Sequence, residues 1–90
     1  MRKLSYLQML DEVRKGKRSM RIAWEIENKF IYHVPASQFQ VTKHPLLGIF
    51  KPGTLIYFRE RIDMYFGNGV CGVWEKTRED VTAHDWIILE

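Results

Sequence analysis

The stretch from Gly53 to Trp86 limits what this chain can fold into more than any other. Ile56, Phe58, Ile62, Met64 and Phe66 share one parity, interrupted by Glu60, while Tyr57, Arg59, Arg61, Asp63 and Tyr65 share the other. A period of two marks a strand with one apolar and one amphipathic face. Asn68-Gly69 comes next. It is the strongest short hairpin signal, because both central residues of a type I′ turn need positive φ. A two-residue loop there sets Gly67 against Val70, Met64 against Val73 and Asp63 against Trp74. On that register Trp74 stands beside Asp63, on the face of Arg61 and Tyr65, and is kept off the Met64/Phe66 face. A slip of one residue would reverse the assignment. The pattern leaves two readings of Trp74 level: an indole packed against another layer, or one that receives a ligand beside Arg and Asp.

The flanking sequence supplies the remaining elements. Ser5 to Lys15 reads as a helix, with Tyr6, Met9, Leu10 and Val13 on one stripe. Ser5 and Gln8 have capping-box spacing, and Gly16 suits a left-handed helix end. Lys17–Trp24 and Lys29–Val34 read as strands, Gln38–Thr42 as a short third, and Asp85–Glu90 as a final one with Trp86 buried. His44 to Phe50 fits a single helical turn or an anchored loop. Thr77 or Asp80 can cap a short helical turn. The expected fold is therefore α+β, a largely antiparallel sheet of about five or six strands with an N-terminal helix and short helical turns. At 90 residues it is expected to be a single domain, residues 1–90.

Size also bears on function. A chain this small has little volume for a deep pocket, and small-molecule sites need about 300–1,000 Å³. A site of that size is more easily made between subunits. The net charge of +3 favours anionic partners only mildly. The basic run Arg14-Lys15-Gly16-Lys17-Arg18 sits where a helix end welcomes cations. Cys71 is the only cysteine, so neither an intrachain disulfide nor a cysteine zinc site is possible. No apolar run reaches membrane-spanning length and no signal peptide is visible, which makes the cytosol the expected compartment.

Catalytic signals are missing. His33, His44 and His84 lie in different elements at no metal-ligand spacing, and Cys71 has no neighbouring base. No phosphate-binding glycine loop or nucleophile elbow occurs. Neither a cofactor nor a metal is expected. Binding is better supported, since three Trp and four Tyr exceed what a small core needs, and several lie near charge. Arg21 accompanies Trp24, Tyr57 accompanies Arg59, and Trp74 faces Asp63. Aromatic planes stack on nucleobases at about 1–3 kcal/mol each, and Arg forks suit pyrophosphate.

One ordered set spans most of the chain: Arg21-Ile22-Ala23-Trp24, Pro45-Leu46, Ile62-Asp63-Met64, Gly69, Trp74, Asp80 and Ala83-His84-Asp85-Trp86. This set resembles the phage Thoeris anti-defence family of the second type. The resemblance implies a non-enzymatic sponge. Such a protein holds intact a cyclic ADP-ribose isomer made by the host's TIR-domain sensor, and some members also bind cyclic oligonucleotides. It implies a homo-oligomer, commonly a tetramer, with nucleotide sites near subunit interfaces. The family usually has Gly before the first Trp and Asn-Gly after it, where this chain has Ala23 and Glu25-Ile26.

With the resemblance added, Trp74 leads as a stacking residue, ahead of Trp24 and then Tyr57. Arg21 is a candidate for pyrophosphate or a surface ion pair. Asp63 and Asp85 are candidates for ribose hydroxyls or for turn caps, and Trp86 for the core. The expected setting is the host cytoplasm, with no membrane, DNA or RNA partner. The rivals are a signal-degrading hydrolase, a small nucleic-acid-binding module and a protein-interaction domain.

Overall fold

Ser5 starts the first helix as its spacing predicts. In the computed structural model, which describes residues 2–89, the Ser5 hydroxyl accepts from the Gln8 amide at 3.3 Å. The Gln8 side chain accepts from the Ser5 amide at 3.0 Å. Helix α1 (Tyr6–Arg14) buries Met9, Leu10 and Val13. Gly16, at φ 104°, turns the chain out of it. Lys15 and Lys17 of the basic run both pair with Glu12, at 3.4 and 2.7 Å.

The strands are β1 (Arg18–Arg21), β2 (Phe30–Val34), β3 (Ser37–Gln40), β4 (Leu55–Phe58), β5 (Arg61–Gly67), β6 (Val70–Val73) and β7 (Trp86–Leu89). A short helix α2 (Arg78–Thr82) precedes β7, and two 3-10 turns cover Ile22–Trp24 and Leu46–Gly48. Glu90, which the sequence reading included in the last strand, lies outside the described residues. Five strands form one sheet in the order β6-β5-β2-β1-β7, and β3 pairs with β4 in a separate two-stranded sheet. Every pairing is antiparallel. The fold is α+β, as expected.

Three expectations need correction. First, the strand read from Lys17 to Trp24 stops at Arg21. Ile22–Trp24 winds into a 3-10 turn closed by the Glu25 amide on the Ile22 carbonyl. That turn lets the Trp24 ring meet Trp86 edge-on at 5.1 Å, which straight continuation of β1's alternation would not. Second, the long alternating segment is two strands in two sheets, parted at Arg59-Glu60. Glu60, the charge within the apolar parity, pairs there with His33 at 2.8 Å.

Third, the hairpin register differs by one. The turn itself is right, because Gly67 faces Val70 across Asn68-Gly69, both at positive φ. Next, however, Tyr65 pairs with Cys71, leaving Phe66 as an extra, bulged residue. From there Met64 faces Gly72, Asp63 faces Val73, and the Trp74 amide donates to the Ile62 carbonyl at 3.1 Å. Gly72 makes room for the bulge, since a Cβ there would lie 3.1 Å from the Phe66 ring. One extra residue reverses every facing below it. Trp74 therefore shares the Met64 face and leaves the Asp63 face.

The core forms where α1 crosses the five-stranded sheet. Met9, Leu10 and Val13 pack with Ile31, Met64, Trp74 and Trp86. Residues 35–60 carry β3 and β4 away from this body as an arm. The extents are 49 × 26 × 25 Å and the radius of gyration is 16.1 Å, against about 12 Å for a compact chain of this length.

Candidate functional site

Trp86 organises the ground beneath the site. It is fully buried, and its indole N–H donates to the Asp80 carbonyl at 3.0 Å. Trp24 and Trp74 each meet it edge-on, at 5.1 and 5.7 Å, an arrangement that suits the ring quadrupoles. Tyr6 closes the far side of Trp74 at 6.3 Å.

Trp24 and Trp74 line one cleft of about 600 Å³, together with Arg21, Phe66, Thr77 and Asp80. That volume falls within the small-molecule range, so a single copy of this small chain already makes a cleft of useful size. Trp74 is 9% exposed. It is anchored by core neighbours, as the packing reading has it, and its remaining surface forms part of the cleft wall.

The polar side of the cleft is built from α2. Thr77 and Asp80 form a capping box, with the Asp80 carboxylate accepting from the Thr77 amide at 2.9 Å and the Thr77 hydroxyl from the Asp80 amide at 3.2 Å. The other Asp80 oxygen accepts from Arg21 Nη1 at 3.2 Å, and Asp85 accepts from Arg21 Nε at 3.1 Å. Burial pulls the Arg21 pKa down, but the bonds to Asp85 and Asp80 outweigh it and leave the pKa above its usual value. Arg21 is thus a held cation, with its third nitrogen, Nη2, making no hydrogen bond among the described residues. Glu75 and Glu79 also line the cleft, as does Lys29, which pairs with Glu27.

The six sequence candidates divide. Arg21, Trp24 and Trp74 converge on the cleft. Asp85 sits behind it, orienting Arg21. Asp63 turns to the opposite sheet face, where Arg61 grips both carboxylate oxygens at 2.9 and 3.3 Å. Its expected position beside Trp74 is corrected by the Phe66 bulge. Tyr57 lies on the arm, 68% exposed and outside this cleft. Asp80 was missed as a site residue. It is 5% exposed and holds both the cap and Arg21. The Thr77-Arg78-Glu79-Asp80 spacing carried the capping signal, but a cap alone does not announce a buried ion pair.

Among the described residues, no three His, Cys, Asp or Glu side chains gather as a metal set. No helix among the described residues is long and apolar enough to cross a membrane.

No curated protein matches the chain. A family model does, the Thoeris anti-defense 2-like domain, over residues 4–89. The match runs from β7 back to the entry of α1, so it takes in the arm and every residue of the cleft. The chain belongs to the Thoeris anti-defense 2-like family, whose name indicates a role against Thoeris defence.

Proposed function

We propose that the protein is a non-enzymatic sponge. It sequesters a cyclic ADP-ribose-type signal, keeps it intact and so denies it to the Thoeris effector in the host cytoplasm. The observation that carries the reading is the meeting of Trp24, Trp74 and the held Arg21 in one cleft of about 600 Å³. The indoles offer stacking at about 1–3 kcal/mol per base, and Arg21 offers a charge-assisted donor to a pyrophosphate oxygen. Buried groups hold Arg21 and Trp74 before any ligand arrives, which reduces the ordering cost of binding. Cyclic oligonucleotides share the same base and phosphate chemistry and form the second ligand class. Assembly as a homo-oligomer, a tetramer by the family resemblance, belongs to the same proposal.

The test mixes purified protein with the product of a TIR-domain synthase, removes unbound nucleotide, denatures the complex and identifies what is released. Intact cyclic signal in stoichiometric amount is expected. A linear or cleaved product means a hydrolase, and no bound nucleotide means that the cleft serves something else.

A further inference from the structure

A second pocket, of about 250 Å³, lies behind Trp74, whose indole forms a wall of this pocket and of the cleft alike. Helix α1 contributes Tyr6, Leu10 and Arg14, which run along one helix face. Arg61 opens β5 on one side, and Lys76 follows β6 on the other. The two cavities differ in charge. The cleft carries Glu75, Glu79 and Asp80 beside its cations. Among the described residues, the pocket's lining carries Arg14, Arg61 and Lys76 and no carboxylate. Arg61 is partly neutralised, since it grips Asp63 at 2.9 and 3.3 Å. Arg14 and Lys76 make no ion pair among the described residues. Lys76 is positioned nonetheless. Its Nζ donates to the Tyr6 hydroxyl at 3.2 Å and stands 5.7 Å from the centroid of that ring. The end of α1 favours a cation at Arg14, and the Tyr6 ring favours one at Lys76. Their gathering with Arg61 around one opening raises the local positive potential, which an anion relieves.

We propose that this pocket binds a phosphoryl group, borne by a small ester or by inorganic phosphate. Arg14 and Lys76 hold the phosphoryl oxygens, Arg61 adds a third donor from its edge, and the organic group of an ester rests against Leu10 and Trp74. A phosphoryl group suits the site better than a carboxylate does, because three separate cations are met by three terminal oxygens. The volume admits that group and a small substituent. It lies below the roughly 300 Å³ at which small-molecule pockets begin, too little to enclose the cyclic signal proposed for the cleft. Neither Arg14 nor Lys76 lines the cleft, so the pocket is independent of what the cleft holds.

The test is isothermal titration of the nucleotide-free protein with phenyl phosphate, in about 0.15 M salt to screen diffuse attraction. One saturable site per chain is expected, with a dissociation constant of about 1 mM or tighter. Inorganic phosphate is the second probe. Weaker binding of it assigns the site to esters and equal binding assigns it to the free anion, and both support a phosphoryl site. Benzoate, which keeps the ring and exchanges phosphate for carboxylate, should bind about tenfold more weakly than phenyl phosphate. Arg14→Ala and Lys76→Ala, both at exposed positions, should each weaken phenyl phosphate about tenfold. Lys51→Ala removes an equal charge from the arm and should leave the affinity unchanged. Absence of saturable binding overturns the proposal, and so does benzoate binding as tightly as phenyl phosphate. Unchanged affinity in Arg14→Ala and Lys76→Ala overturns it by placing the anion elsewhere, and an equal loss in Lys51→Ala by reducing the effect to net charge. Each of these failures leaves the sponge reading untouched, because retention of the cyclic signal is measured separately.

Discussion

Trp86, Trp24 and Trp74 touch one another but should answer differently to truncation. Trp86 is fully buried beneath the other two. Trp86→Ala should cost about 3–5 kcal/mol of stability, read as a large drop in the chemical-denaturation midpoint. Trp24→Ala keeps that floor and should lower stability less, and under the proposed function it should weaken retention of the cyclic signal in the binding assay. Asp80→Asn replaces one of two accepting oxygens by a donor, so it loses either the Arg21 or the Thr77 bond together with the buried charge partner, and should cost about 1–3 kcal/mol. On the opposite face, the Tyr32 hydroxyl is pushed up to about 12, first by its hydrogen bond to Cys71 and then by burial. Since the folded state holds this proton more tightly than the unfolded chain, the contribution is intact below about pH 10 and is lost as pH rises toward 12. Absorbance titration near 295 nm, with Tyr32→Phe as the control, should show one tyrosine ionising late, and Cys71→Val should bring it earlier.

The decisive element is the β5–β6 hairpin. Its turn was legible because Asn68 and Gly69 have few other uses side by side. Its register was not, because a bulge is chosen by packing. The Phe66 ring lies against Gly72, where a Cβ would stand 3.1 Å from it. Gly72→Val should press on the Phe66 ring and displace it, and Phe66→Ala should relieve any cost that follows. A double-mutant cycle measures the coupling, and additive costs would mean the bulge is set elsewhere. The short helix α2 was legible for the opposite reason, since its Thr77-to-Asp80 capping box is a local bond pattern. Thr77→Ala should cost about 1 kcal/mol and loosen Arg21 through Asp80.

At the scale of the whole molecule, the fold divides into a body with a core and an arm without much of one. As a single chain, the protein should scatter with a radius of gyration near 16.1 Å and not the roughly 12 Å of a compact domain. A value near the compact figure would mean that the arm folds back on its own body. Elongation leaves apolar surface at both poles. Leu55 and Phe58 lie on the arm, and Phe66, Val70 and the 97% exposed Ile26 lie at the far end.

Sequence alone determined what depends on neighbours within a few residues. The caps at Ser5 and Thr77, the helix stripe, the Asn68-Gly69 turn and the alternation of β2 and β5 are short-range consequences of backbone and side-chain geometry. Family membership was legible too, through residues kept in order along the chain. Tertiary structure decided which face Trp74 takes, where β1 ends, that the long alternating stretch is two strands, and that Asp80 rather than Asp63 serves the cleft. Each of these depends on how volume is filled between distant segments. A single bulged residue is nearly invisible in a local pattern, yet it moves a whole strand's side chains from one face of the sheet to the other.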